Sequence, residues 1–129
     1  MIWVAFREGE QVGPKAVDDI TVPSGQTVSL IDTVAAVPGT EGLVTRFRFL
    51  APAIARATST VTPEMAQADM ESLCETYALP RLPEIGQKPG QVIISLADRV
   101  VAFGEADPEA TQFFEAFDVS DGTCVWEGF

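Results

Sequence analysis

The stretch Thr62-Pro63-Glu64-Met65-Ala66-Gln67-Ala68-Asp69-Met70-Glu71-Ser72-Leu73-Cys74-Glu75-Thr76-Tyr77-Ala78-Leu79-Pro80 decides the fold. Thr62 can accept from the first free amides of a helix, Pro63 has the φ that a first helical residue needs, and Glu64 lies near the positive end of the dipole. Ala66, Met70, Leu73, Cys74 and Tyr77 then recur at i, i+4, i+7, i+8 and i+11, the stripe of a helix with one face on a core. The spacing predicts a helix over 62–79 that Pro80 stops. An apolar helical face of that length has to be covered, and the segments on either side read as strands that can cover it.

Upstream, Gln26–Val34 alternates, with Val28 and Leu30 on one face and Thr27 and Ser29 on the other. Leu43–Leu50 does the same, with Leu43, Thr45, Phe47 and Phe49 opposed to Arg46 and Arg48. A hairpin through a loop at Val37–Gly42 joins the two, and Pro52 ends the pairing. Downstream, Pro80–Gly90 reads as a stiff connector. Gln91–Leu96 is a β-branched run that Ala97-Asp98-Arg99 turns into Val100–Phe103. Asp107-Pro108 starts a single helical turn, and Gln112–Val119 carries Phe113, Phe114 and Phe117. Asp121-Gly122 then marks a tight hairpin into Cys124–Glu127. Before Pro23 there is a short strand candidate, Ile2–Phe6, and an irregular stretch from Arg7.

The expected fold class is therefore α+β: a single domain, with a mostly antiparallel sheet and one main helix packed on one face. Residues 1–23 form an irregular N-terminal segment and 24–129 the α+β core. A chain of 129 residues suits one domain and can bury a core without staples.

Charge narrows the choice of partners. The net charge is −11, and its two halves differ: residues 1–60 hold six acids and five bases, residues 61–129 thirteen acids and three bases. Such a surface is a poor match for nucleic acid or anionic membrane, both of which require Lys and Arg. It serves solubility through net charge, or offers a docking face to a basic protein partner. The sequence contains no His and no Asn. That removes Ser-His-Asp and Cys-His-Asn catalysis, His-ligated zinc and N-glycosylation. No stretch approaches the ~20 apolar residues of a membrane span, so no membrane insertion is expected. Met1–Phe6 is too short for the apolar core of a signal peptide and lacks a basic start.

Five groups of residues invite a functional reading. Cys74 falls on the buried stripe and Cys124 in the closing strand, so a docked helix could bring the sulfurs together. A disulfide and two buried thiols are both open readings, and the compartment decides between them. A catalytic thiol is disfavoured, because no imidazole exists to activate it and Glu71 and Glu75 oppose a thiolate. Glu64, Asp69, Glu71 and Glu75 form an acid row with no base between Val61 and Pro80. The row reads as a solvated face; otherwise bases elsewhere in the fold, such as Arg81 or Arg99, neutralise it, or Glu64, Glu71 and Glu75 form an interaction face. Glu105, Asp107, Glu109 and Glu115 could supply paired carboxylates for glycoside hydrolysis, but nothing sets one pair apart. Arg46, Arg48 and Arg56 are a local basic cluster, suited to ion pairs or to an anion contact. Pro80-Arg81-Leu82-Pro83 fits a PxxP pattern, which here reads as a rigid connector.

Leu43–Pro52, Leu73-Cys74-Glu75-Thr76-Tyr77-Ala78-Leu79-Pro80 and Cys124-Val125-Trp126-Glu127-Gly128-Phe129 resemble a family of short alphaproteobacterial proteins of unknown function. The resemblance covers roughly Val22 to Phe129 and brings no catalytic motif. It implies the periplasm over the cytoplasm and a Cys74–Cys124 bridge. Some members carry the label acetolactate synthase. A thiamine-diphosphate enzyme needs a Gly-Asp-Gly start and a downstream Asn, whereas here Ser120 precedes Asp121-Gly122 and Asn is absent.

The functional expectation is a small acidic, non-catalytic binding or interaction module of the cell envelope. The alternatives are a small carboxylate-dependent enzyme and a structural homo-oligomer subunit. No catalytic, cofactor or metal site is expected.

Overall fold

The computed structural model describes residues 19–39, 42–56, 59–85 and 90–128. The Ile2–Phe6 strand and the Gly86 and Pro89 part of the connector lie outside the described residues. Within them a six-stranded sheet runs β1 (Ile20–Thr21), β2 (Thr27–Gly39), β3 (Gly42–Leu50), β4 (Gln91–Ala97), β5 (Gln112–Asp118) and β6 (Val125–Trp126), in chain order across the sheet. Every neighbouring pair is antiparallel except β3 and β4, which run parallel. A parallel pair cannot be joined by a tight turn, and the crossover between these two strands carries the helix.

The helix has three parts: α1 (Pro63–Leu73), a π turn (Cys74–Ala78) and α2 (Leu79–Ile85). It starts as expected, with the Met65 amide donating to the Thr62 hydroxyl at 3.1 Å and Pro63 in the first turn. Ala66, Met70, Leu73, Cys74 and Ala78 are fully buried. They pack on the sheet face formed by Phe47 and Phe49 of β3, Val92, Ile94 and Leu96 of β4, and Phe117 of β5. Tyr77 presents its ring to the edges of Phe47 and Phe49 at 6.3 and 5.4 Å. Each large apolar side chain buried here contributes about 1.5–3 kcal/mol, which makes this layer the main source of stability.

Five expectations need correction. Pro80 does not stop the helix. The π turn shifts the bonding so that the Leu79 amide donates to the Cys74 carbonyl, five residues back. Pro80 then stands in the first turn of a fresh α segment, where a missing N–H costs least. The loop read at Val37–Gly42 is shorter, because β2 and β3 stay paired as far as Gly39 and Gly42. Val100–Phe103 is not a strand: the partner of β4 is Gln112–Asp118, which matches it along its whole length, from Gln91 opposite Asp118 to Ala97 opposite Gln112. Residues 98–111 form a loop instead, and Asp107–Ala110 in it is a turn closed by the Ala110 amide on the Asp107 carbonyl at 3.0 Å, not a helical turn. In the stretch read as irregular, Ile20–Thr21 pairs with Thr27 and Val28, and Val22 joins the core.

Candidate functional site

Cys74 and Cys124 are joined in a disulfide, with Cα atoms 6.2 Å apart and a sequence separation of 50. The bond ties the π turn to the residue before β6. That strand pairs with β5 through only two residues, Val125 and Trp126. No described cysteine is left as a thiol nucleophile.

The helical acids divide between two faces. At 100° per residue, Glu64, Glu71 and Glu75 fall within about 40° of one another, and all three are exposed. Asp69 falls about 140° from Glu64, at the edge of the Ala66–Met70–Leu73 stripe, and is completely buried. It therefore leaves the expected wet row. Its carboxylate accepts from the Ser24 amide at 2.8 Å, the Ser24 hydroxyl at 2.6 Å and the Gln26 side-chain amide at 2.8 Å. Asp69 thus hangs the turn between β1 and β2 on the helix.

Neither candidate base neutralises the exposed row. Arg99 pairs with Asp98 at 3.0 Å. Arg81 lies over the Tyr77 ring, 3.5 Å from its centroid, and donates to the Tyr77 carbonyl at 3.0 Å. Among the described residues Glu64, Glu71 and Glu75 have no ion-pair partner.

The opposite face of the sheet carries a recess. The 98–111 loop is closed at its neck by the Asp98 amide on the Thr111 carbonyl and by the Thr111 amide on the Asp98 carboxylate, both at 3.0 Å. It folds back over β3, where Arg48 donates to the Val101 carbonyl. Further along, Arg56 donates to the Pro108 carbonyl at 3.0 Å. Between loop and sheet lies a cavity of about 230 Å³, lined among others by Arg46, Arg48, Ser95, Phe103, Glu105 and Phe114.

The two central arginines differ in their partners. Arg48 is buried and pairs with Asp32 of β2 at 3.0 Å. Arg46 is half-buried, with its guanidinium 5.7 Å from the Phe103 ring centre and 5.8 Å from that of Phe114. Among the described residues it has neither an ion pair nor a hydrogen bond. Burial pushes its pKa below the usual guanidinium range, and the neighbouring Arg48 charge adds to the shift.

Of the basic cluster, Arg46 and Arg48 meet in the recess, while Arg56 serves the loop at Pro108. The carboxylates considered for hydrolysis do not converge. Glu105 stands at the recess, whereas Glu115, opposite the core residue Ile94, accepts from the Trp126 indole at 2.6 Å on the other face. Among the described residues no three potential metal ligands come together, and no helix is long and apolar enough to cross a membrane. Sequence reasoning located the two arginines but missed the loop that turns them into a cavity.

Fold and bridge together define a small disulfide-linked α+β domain in which one helix packs on a mostly antiparallel sheet. The model of a family described as "Family of unknown function (DUF6497)" matches residues 5–129, and the chain belongs to that family. No curated protein and no solved structure matches it.

Proposed function

We infer that the protein is a non-catalytic recognition module of an oxidising compartment, and that the acid row on its helix meets a basic protein partner. The observation that carries this reading is the exposed alignment of Glu64, Glu71 and Glu75 with the nearby bases engaged elsewhere. Like charges one helical turn apart cost a few tenths of a kcal/mol per pair, and a cationic partner would remove that cost. The compartment is supported by the disulfide, since such bonds persist in oxidising surroundings. With the alphaproteobacterial resemblance, that compartment is the periplasm. The recess adds guanidinium groups and aromatic rings, which bind and orient but do not exchange protons at neutral pH.

Binding of a Lys-rich peptide, followed by fluorescence anisotropy at low and high salt, tests the reading. The triple variant Glu64→Gln/Glu71→Gln/Glu75→Gln should bind at least about fivefold more weakly than a variant with the same net charge, Glu105→Gln/Glu109→Gln/Asp121→Asn. Equal losses in both variants would reduce the effect to net charge alone and refute a dedicated face. A second reading, a homo-oligomer built on the β6 edge, draws support from the exposure of Val125 and Trp126 there. Light scattering that returns a monomer at high protein concentration rejects it.

A further inference from the structure

We propose that the recess beneath the 98–111 loop is a binding site for a carboxylate attached to a small apolar or aromatic body, gripped by Arg46. This site lies on the opposite face of the sheet from the helix and its acids, so it stands or falls independently of the proposed partner face.

The argument starts from hydrogen-bond supply. A guanidinium offers five N–H donors in a planar fork. Arg48 spends its donors on Asp32 and the Val101 carbonyl. Arg46 spends none on any described residue, although it is half-buried. The rings of Phe103 and Phe114 hold it by cation–π attraction, which compensates charge but accepts no in-plane hydrogen bond. A partly desolvated cation with an unused fork is matched by a carboxylate, whose two oxygens take two parallel N–H bonds.

Size and charge narrow the class further. The cavity of about 230 Å³ holds a carboxylate and a ring-sized body, but not a folded segment. Phe103, Phe114 and Val101 give that body apolar walls, while Ser95 and Gln112 offer polar contacts. Asp32 already neutralises Arg48, which leaves Arg46 as the recess guanidinium with no ion-pair partner among the described residues. Glu105 stands at the same recess, and the whole chain carries −11. One guanidinium fork takes one carboxylate, and the surrounding negative charge opposes a phosphate dianion more strongly than a monoanion. The matching group could belong to a free organic acid or to the chain end of a peptide.

Amide-resolved NMR titrations of the full, disulfide-bonded chain decide the matter. The probes are benzoate, its neutral analogue benzamide, inorganic phosphate, and a Phe-ending tetrapeptide with a free or an amidated end. Benzoate or the free-ended peptide should shift Ser95, Ala102, Phe103 and Gly104 saturably. The tighter of the two shows whether a free acid or a chain end is preferred. Benzamide and the amidated peptide should leave those signals in place. Arg46→Gln should weaken binding about tenfold, and Arg46→Lys, which keeps the charge and loses the fork, by less. Should Arg46→Gln not fold, Phe103→Ala, on the exposed wall, provides the second test and should also weaken binding. The proposal is overturned if neither acid saturates by about 20 mM, if benzamide shifts the same amides equally, or if phosphate binds more tightly than benzoate. Unchanged benzoate affinity in the folded variant tested overturns it as well.

Discussion

Reducing the Cys74–Cys124 bond is the most informative perturbation of this fold, because it removes one constraint and leaves every side chain in place. The bond spans 50 residues. In the chain-entropy picture, a loop of that length lowers the entropy of the unfolded chain by about 14 cal/mol/K, or about 4 kcal/mol at 25 °C. Domains commonly hold about 5–15 kcal/mol in total, so this is a large share. With about 2.1 cal/mol/K of unfolding entropy per residue, a chain of this length should lose roughly 15 °C in Tm. Within the native sheet little else holds β6, since only Val125 and Trp126 pair with β5. The assay is urea unfolding of the wild-type protein with and without a phosphine reductant, followed by circular dichroism. The midpoint should fall, and the slope should rise as the reduced unfolded chain expands. A reduced protein within about 1 kcal/mol of the oxidised one would show that core packing alone fixes β6, and would refute the loop-closure argument.

Three further outcomes follow from the geometry. Asp69→Ala strands the Ser24 and Gln26 donors and should cost about 2–4 kcal/mol in urea unfolding, with Asp69→Asn costing less because its amide oxygen still accepts. Asp98 is held below the ordinary carboxylate range by the hydrogen-bonded Arg99 guanidinium and, more weakly, by the Thr111 amide, against a burial effect that pushes upward. A depressed native pKa stabilises the fold above the unfolded value of about 3.9 and loses that effect as pH falls through the native value, so Asp98→Asn should flatten the acid limb of stability against pH. Gly122 has φ 87° with open space where a Cβ would go, so Gly122→Ala should cost about 1 kcal/mol from backbone strain alone, and Gly122→Asn less, as thermal unfolding would show.

Much of this fold was legible in the sequence, and the failures have physical causes. Thr62, Pro63 and the Ala66-to-Tyr77 spacing located the helix and its buried side. Alternation located β3 and put Arg46 and Arg48 together on its far side. The helix end was misjudged because Pro80 forbids one hydrogen-bond register, while a π turn supplies another. Asp69 was read as wet from its charge, although its spacing from Ala66 and Leu73 put it on the core side. There, three donors from a distant turn make a buried carboxylate tolerable. Val100–Phe103 looked like a strand from residue type, yet Gln112–Asp118 can pair with the whole of β4. The recess was out of reach because it depends on a loop returning over a strand fifty residues earlier in the chain, a contact that no local pattern encodes.

The single parallel seam divides the molecule into two meanders, β1-β2-β3 and β4-β5-β6, each built from neighbours in sequence. Local pairings close cheaply, whereas joining β3 to β4 must first pay the entropy of the long crossover. The kinetic barrier to folding therefore lies at the seam, with the helix carrying one meander to the other. In stopped-flow refolding, truncation at Phe47 or Ile94 should slow the folding arm, while truncation at Val28 should chiefly speed unfolding.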